Sequence, residues 1–330
     1  MTQRTEWRGR RRAALLALAS ITVAPGLARG QQPSYPSRPV RLIVSYSPGT
    51  TGDIIARALS KVLARSLDQP LVVENRGGAN GNLGNAAVAN AAADGYTLLL
   101  AGSASLAINP HLTRVSYDVF QDFAPISMIG SSPLVLLAHP SLPVRTIPDL
   151  IAAAKSAPGK INIASGGNGT TTHLAAELLK MSAKIDLMHV PYGAGAKAIS
   201  DLIAGHVSLM FTAIPTSVQF IQDGRLRAIA VTGTRRSEAL PAVPAVAETL
   251  PDFEVNAWYG LLAPAGVPKE ITARLDEALR SAVKEEEFVK SLTSHGLVVE
   301  TGTSATFAQY LRKEYERWGE VVRVSGAKVD

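Results

Sequence analysis

Two stretches of equal length carry the residue types best suited to holding an anion. They are Ser45-Tyr46-Ser47-Pro48-Gly49-Thr50-Thr51-Gly52-Asp53 and Ser165-Gly166-Gly167-Asn168-Gly169-Thr170-Thr171-Thr172-His173. Each leaves an apolar run and enters a helical pattern, and their small side chains let a ligand approach the backbone N–H groups. A helix start leaves about four of those groups unpaired and concentrates partial positive charge there. Such a place suits a carboxylate or phosphate without any arginine. Ser and Thr hydroxyls add donors, and Tyr46 offers an aromatic wall with a phenol. Taken singly, either loop reads as ordinary helix capping; two alike loops favour an anion clamp. Asp53 reads as a first-turn acid complementing the helix dipole or as the partner of a ligand ammonium. His173 reads as a neutral donor to a ligand or as a cap.

Other chemistry is sparse. With no cysteine, the chain has no disulfide, thiolate metal site or cysteine nucleophile. The histidines, at 111, 139, 173, 189, 206 and 295, show no zinc-binding spacing, and His189 in an apolar strand reads as a core residue. No Gly-x-Ser-x-Gly elbow and no carboxylate cluster of metal-ligand spacing occurs. Residues 77–84 (GGANGNLG) are spaced unlike a dinucleotide fingerprint and read as a tight turn before a helix, braced by asparagines. The expectation is a protein without catalytic residues, metal or cofactor.

The elements that position the two loops follow from alternating short apolar runs and longer amphipathic patterns. Strands are expected at 40–44, 71–74, 96–101, 126–129, 134–138, 161–164, 188–190, 209–212 and 226–231. Helices are expected at 54–67, 82–92, 148–156, 173–182, 196–204 and 215–223. Such alternation implies α/β units with largely parallel sheets. Towards the end a strand at 255–263 precedes helical segments at 269–283, 286–294 and 304–324. Breaks at 130–133 and in the Pro-rich run 241–251 read as two crossovers between domains, with a ligand cleft between the domains.

At 330 residues the chain has room for about two domains of ~150 residues. Its 46% hydrophobic and 18% charged content supports a large core. The net charge of +6 is concentrated in Arg4, Arg8, Arg10, Arg11, Arg12 and Arg29, opposed at that end by Glu6 alone. The remainder is close to neutral, so nothing draws it to nucleic acid. A cationic stretch at 8–12, an apolar run at 13–23 and Ala28-Arg29-Gly30 form a cleavable secretory signal, too short to span a membrane.

Beyond these patterns, the chain resembles the Bug family, the periplasmic substrate-binding proteins of tripartite tricarboxylate transporters. The matching tokens are the strand-loop-helix at 40–57, Val72-Val73-Glu74-Asn75-Arg76 with Gly78-Ala79-x-Gly81, and Asp94-Gly95-Tyr96-Thr97-Leu98. Further tokens are Asn168-Gly169-x-x-x-His173-Leu174-x-x-Glu177, His189-Val190-Pro191-Tyr192, Asp201-Leu202-x-x-Gly205 and Trp258-Tyr259-Gly260-Leu261 before Ala263-Pro264-Ala265-Gly266-x-Pro268. The ordered set spans residues 35 to about 320.

The resemblance implies a two-lobed, venus-flytrap fold of two mixed α/β domains joined by two crossovers. Residues 1–30 would be the signal peptide, 31–132 with 250–330 one domain, and 133–249 the other. It implies a small organic carboxylate held by the two loops, at Tyr46, Ser47, Gly49, Thr50, Thr51 and Asp53 and at Gly167, Asn168, Gly169, Thr170, Thr171, Thr172 and His173. Ser103, Ser105, Tyr192 and Ala194 would lie nearby. Partners would be the membrane permease subunits of a tripartite transporter, and the receptor a monomer. Two departures stand out. A Gly-Gly pair usual in the first loop is Gly49-Thr50 here, and a Lys-Gly usual after Pro-Tyr is Gly193-Ala194. Alternatives are a receptor signalling to a two-component kinase and an exported hydrolase using His173 with a nearby Ser or Thr. The lack of a paired base and orienting acid opposes the hydrolase.

Overall fold

The computed structural model describes residues 35–328; the expected leader at 1–30 lies outside the described residues. The first elements are β1 (Val40–Val44), α1 (Thr51–Leu67), β2 (Leu71–Asn75), α2 (Asn82–Ala89), β3 (Thr97–Gly102) and, after a π-helical turn at Ala104–Ile108, α3 (Asn109–Leu112). Then come β4 (Phe123–Ala138), α4 (Ile147–Ser156), β5 (Asn162–Ser165), α5 (Thr171–Ala183), β6 (Met188–Pro191), α6 (Gly195–Ile203), β7 (Leu209–Ala213), α7 (Val218–Gln222) and β8 (Arg227–Val231). The chain finishes with β9 (Asn256–Pro264), α8 (Lys269–Ala282), α9 (Glu286–Thr293), β10 (Val298–Val299) and α10 (Ser304–Ser325).

Most expected elements fall within a few residues of these bounds, but the sheet is mixed rather than largely parallel. Its path is β2-β1-β3-β9-β4-β7-β5-β6, with β8 and β10 also paired to β4. Parallel pairing is confined to β1 with β2 and β3, and to β5 with β6 and β7. Between these two wings β9 and β4 run antiparallel. The wings are the α/β halves of a two-domain fold, and β1 and β5 are the inner strand of each. Val40, Leu42, Val44 and Ile163 are fully buried, as befits parallel strands covered on both faces by helices.

The strands expected at 126–129 and 134–138 are one strand of 16 residues. Gly130, Ser131, Ser132 and Pro133 are weak strand formers, which is why the sequence reads as broken there. Tertiary pairing overrides that weakness. Residues 123–133 pair with β9 and residues 134–138 with β7 and β8, so β4 runs through both wings. Gly130 is needed because β10 crosses it: a Cβ there would lie 2.5 Å from the Val298 carbonyl oxygen. Ser132 Oγ donates to Gly296 O at 3.0 Å on the same side. The Pro-rich run 241–251 stays with the second wing, where Val231 N donates to Pro244 O at 2.9 Å. The chain rejoins the first wing at β9, with Asn256 opposite Pro133.

Helix α10 fastens this antiparallel centre. The indole N–H groups of Trp258 and Trp318 donate to Glu314 Oε2 at 3.2 and 3.0 Å, and Arg317 donates to its other oxygen at 2.9 Å. Phe307 occupies the space above Gly260, where a Cβ would sit 2.1 Å from its ring. Loss of the Phe307 ring would leave a cavity costing about 3–5 kcal/mol.

Candidate functional site

The loops after β1 and β5 are the same turn built twice. Gly49 and Gly169 both adopt left-handed φ, +79° and +73°, a conformation glycine alone enters without cost. Thr50 and Thr170 follow in extended conformation, with φ/ψ of −81°/166° and −79°/159°. Each threonine hydroxyl donates to the carbonyl three residues back, Ser47 O and Gly167 O, at 2.7 Å. In each loop the residue three into the helix reaches back to the glycine. Gly49 N donates to Asp53 Oδ2 at 2.9 Å, and Gly169 N donates to His173 Nδ1 at 3.1 Å.

Side chains around the two turns differ. Asp53 is buried and also accepts from Arg57 Nε and Asn75 Nδ2, both at 3.0 Å. The Arg57 guanidinium, helped by Gly49 and Asn75, holds this carboxyl below the ordinary 3.8 against the opposing effect of burial. His173 is buried and stacks on His189, ring centroids 4.0 Å apart and planes 10° apart. Burial lowers both imidazoles from 6.5 to about 4. Gly169 occupies His173 Nδ1, so the proton of the neutral ring sits on Nε2, assigned from this hydrogen-bond network. That nitrogen faces Glu177 at 3.9 Å, and Lys180 neutralises the glutamate at 3.0 Å. His189 Nε2 meets Ser165 Oγ at 2.7 Å, and Ser165 Oγ accepts the Gly167 N–H at 3.2 Å.

Thr170 Oγ1 additionally accepts from His173 N at 3.3 Å, a true N-cap, whereas Thr50 makes no side-chain cap bond. Among the described residues, the N–H groups of Thr51, Gly52 and Asp53 and those of Thr171 and Thr172 have no backbone partner. They are the open donors of the site.

The other expected residues distribute as follows. Tyr46 lies in the floor rather than standing as a wall. A Cβ on Gly52 would be 2.3 Å from its ring and one on Gly102 would be 2.5 Å from its phenol oxygen. Burial pushes that phenol well above its usual range, and Tyr259 packs 5.5 Å away. Ser47 is exposed on the rim, its backbone against Gly77. Ser105 is fully buried and turns inward to Gly102 O. Ser103 Oγ reaches Thr171 Oγ1 at 3.4 Å, joining the two wings. Thr172 Oγ1 accepts from Gly166 N at 3.0 Å and so braces its own loop. Tyr192 donates its phenol to Asp201 at 2.8 Å, which with burial raises its pKa. Ala194 caps α6 without a side-chain bond, and a Cβ on Gly166 would lie 4.0 Å from Gly195 N, so the α6 start adjoins loop 165–173.

Sequence reasoning did not single out Asn80, whose Nδ2 donates to Asn168 O across the wings at 3.3 Å. It also missed the buried brace beneath the first loop, where Ser45 Oγ donates to Asn85 Oδ1 at 2.5 Å and Asn85 bonds Tyr117 at 3.2 Å. The asparagines between the glycines of residues 77–84 were the available signal. Among the described residues, no three His, Cys, Asp or Glu side chains converge as a metal site. Nor is any described helix long and apolar enough to cross a membrane.

Two α/β wings sharing an antiparallel centre, each presenting a helix start at the end of its inner strand, define a two-domain periplasmic binding protein. The R. palustris protein Rpa4515, solved with adipate, is 30% identical, with a TM-score of 0.78 covering 90% of this chain and 100% of that one. MatC from Rhodopseudomonas palustris, solved with bound malate, is 31% identical with a TM-score of 0.74, covering 87% of this chain and 100% of MatC. BugT of Bordetella pertussis is 36% identical over 320 residues, 96% of this chain and 98% of BugT. Residues 55–327 match the tripartite tricarboxylate transporter family receptor. The chain belongs to that family of periplasmic solute-binding receptors.

Proposed function

We propose that this receptor captures a small organic carboxylate between the starts of α1 and α5 and delivers it to the membrane permease subunits of a tripartite transporter. The observation that carries the reading is the duplicated turn, which leaves the N–H groups of 51–53 and 171–172 open on two facing helices. Adipate and malate in the related solved structures support a carboxylate ligand. Charge-assisted hydrogen bonds contribute about 1.5–3 kcal/mol each. Three or four, less the cost of association and ordering, give about −8 kcal/mol, a micromolar Kd.

In this reading residues 1–30 direct export and are removed, and the mature chain acts as a monomer without catalysis. The lobes are 31–132 with 250–330 and 133–249, closing about the centre formed by β4 and β9. Thr51, Thr171 and Thr172 supply backbone donors. Asp53 and His173 hold the turns in shape, and Tyr46 forms the floor.

The test is a thermal-shift screen of the protein from Gln31 onward, unfolded and refolded to strip carried-over ligand. The panel holds mono-, di- and tricarboxylates of graded length, acidic amino acids and aromatic acids. A ligand at ~100 times its Kd adds about 2.7 kcal/mol, so one related group of acids raises Tm. No shift with any acid at millimolar concentration would sink the carboxylate reading.

A further inference from the structure

The turn at residues 77–84 holds a conformation that turning the chain does not require. Gly78, Ala79, Asn80 and Gly81 all have positive φ, at 116°, 46°, 53° and 96°. Two of these are not glycine, and in that region Cβ crowds the following carbonyl. A buried scaffold maintains the shape. Asn109 Nδ2 donates to Asn80 O at 3.1 Å and to Asn82 Oδ1 at 3.3 Å, and Asn82 Oδ1 also accepts from Tyr117 at 2.9 Å. Gly81 is seated so closely that a Cβ would lie 2.9 Å from Ser105 Cβ. Strain that buried partners over-determine points to function.

The product of this scaffolding is the position of one exposed amide. Asn80 Nδ2 crosses to the second lobe and donates to Asn168 O at 3.3 Å. Ser103 Oγ and Thr171 Oγ1 stand 3.4 Å apart in a second contact between the lobes. Both contacts require the lobes at hydrogen-bond distance, on either hand of the α5 start. A ligand that props the lobes apart forfeits them.

We propose that Asn80 gauges ligand length: its bond to Asn168 forms only over a short acid, so the receptor favours short acids over long ones. This rests on the carboxylate-clamp reading. A short ligand permits full closure and gains the Asn80 bond as part of its apparent affinity, whereas a long one binds a less closed state without it.

Isothermal titration of the linear dicarboxylates from malonate to suberate tests the gauge in three proteins. These are the wild type, Asn80→Gly, which suits the positive φ, and Asn80→Asp, which keeps the shape and replaces the donor with an oxygen. Far-UV circular dichroism confirms that each variant folds. Asn80→Gly weakens the shortest acids that bind by about two- to tenfold, the range of one neutral hydrogen bond, and leaves suberate unchanged. The short-to-long affinity ratio falls by the same factor, and falls at least as far in Asn80→Asp. Charge added by the aspartate acts on all the acids and so drops out of the ratio. A wild type that binds acids, with an unchanged ratio in Asn80→Gly, overturns the gauge and leaves the clamp standing. A wild type that binds none of them overturns both.

Discussion

At the start of α1 the group reaching back to the turn glycine is a carboxylate, drawn into ionised form by Arg57; at the start of α5 it is an imidazole, kept neutral by burial against His189. The backbone geometry is the same within a few degrees and the hydroxyl-to-carbonyl bond is 2.7 Å in both. The turn itself is therefore the shared requirement, and any acceptor of suitable reach satisfies it. What differs is charge. Asp53 puts a negative group inside the first turn of α1, against the end of the dipole that would attract a ligand anion. His173 adds none at the corresponding place in α5. Loop 165–173 should accordingly be the stronger anion holder of the two.

The largest expected effect comes from removing one open donor on each side. Proline at the first helical position fits a helix start, and the extended residues before it, Thr50 and Thr170, suit a following proline. Thr171→Pro should weaken carboxylate binding by about 10- to 100-fold, and Thr51→Pro by about tenfold, the range of one charge-assisted bond. Titration calorimetry reads both, with Tm nearly unchanged. Equal losses would break the asymmetry, and no loss in either would break the clamp.

Acidification comes next. The unfolded chain protonates His173 and His189 near 6.5, whereas the folded one resists until about 4. Stability present above 6.5 is therefore lost as pH falls through 6.5 towards 4. Asp53, with its folded pKa lowered, keeps its contribution until pH falls below the ordinary 3.8. Hydrogen exchange between pH 7 and 4.5 should show residues 165–173 loosening while 45–53 stay protected, and His189→Gln should flatten the fall in Tm. Simultaneous loosening of the two loops would count against separate acid limits.

The smallest effect concerns the caps. Thr170→Ala loses a bond to His173 N and should cost about 1 kcal/mol in urea unfolding, and Thr50→Ala, with no such bond, clearly less. Equal costs would mean that the hydroxyl-to-carbonyl bonds, common to both loops, carry the stability.

Much of this was legible in the sequence because local rules governed it. The loops at 45–53 and 165–173, and the strands feeding them, declare themselves through small residues between an apolar run and an amphipathic one. The resemblance to periplasmic receptors rested on tokens at these same places. Residues 130–133 misled because Gly-Ser-Ser-Pro has low strand propensity, while β9 and β10 supply pairing from residues far along the chain. Tyr46 looked like a cleft wall because nothing nearby announces that Gly52 and Gly102 open a berth for its ring. Asn80 was invisible for a similar reason: its partner at Asn168 is contributed by the other lobe.

The continuity of β4 sets how the two lobes can move. A loop between them would act as a tether, allowing swings and twists in many directions at little cost. Here the connection is a flexure: a strand hydrogen-bonded to β9 along one edge and to β10 along the other, with register shifts near Pro125 and Met128 as its compliant points. A flexure bends along one soft direction and springs back. The receptor then has a single opening coordinate, and every ligand it accepts is scored by how far along that one path it lets the lobes travel.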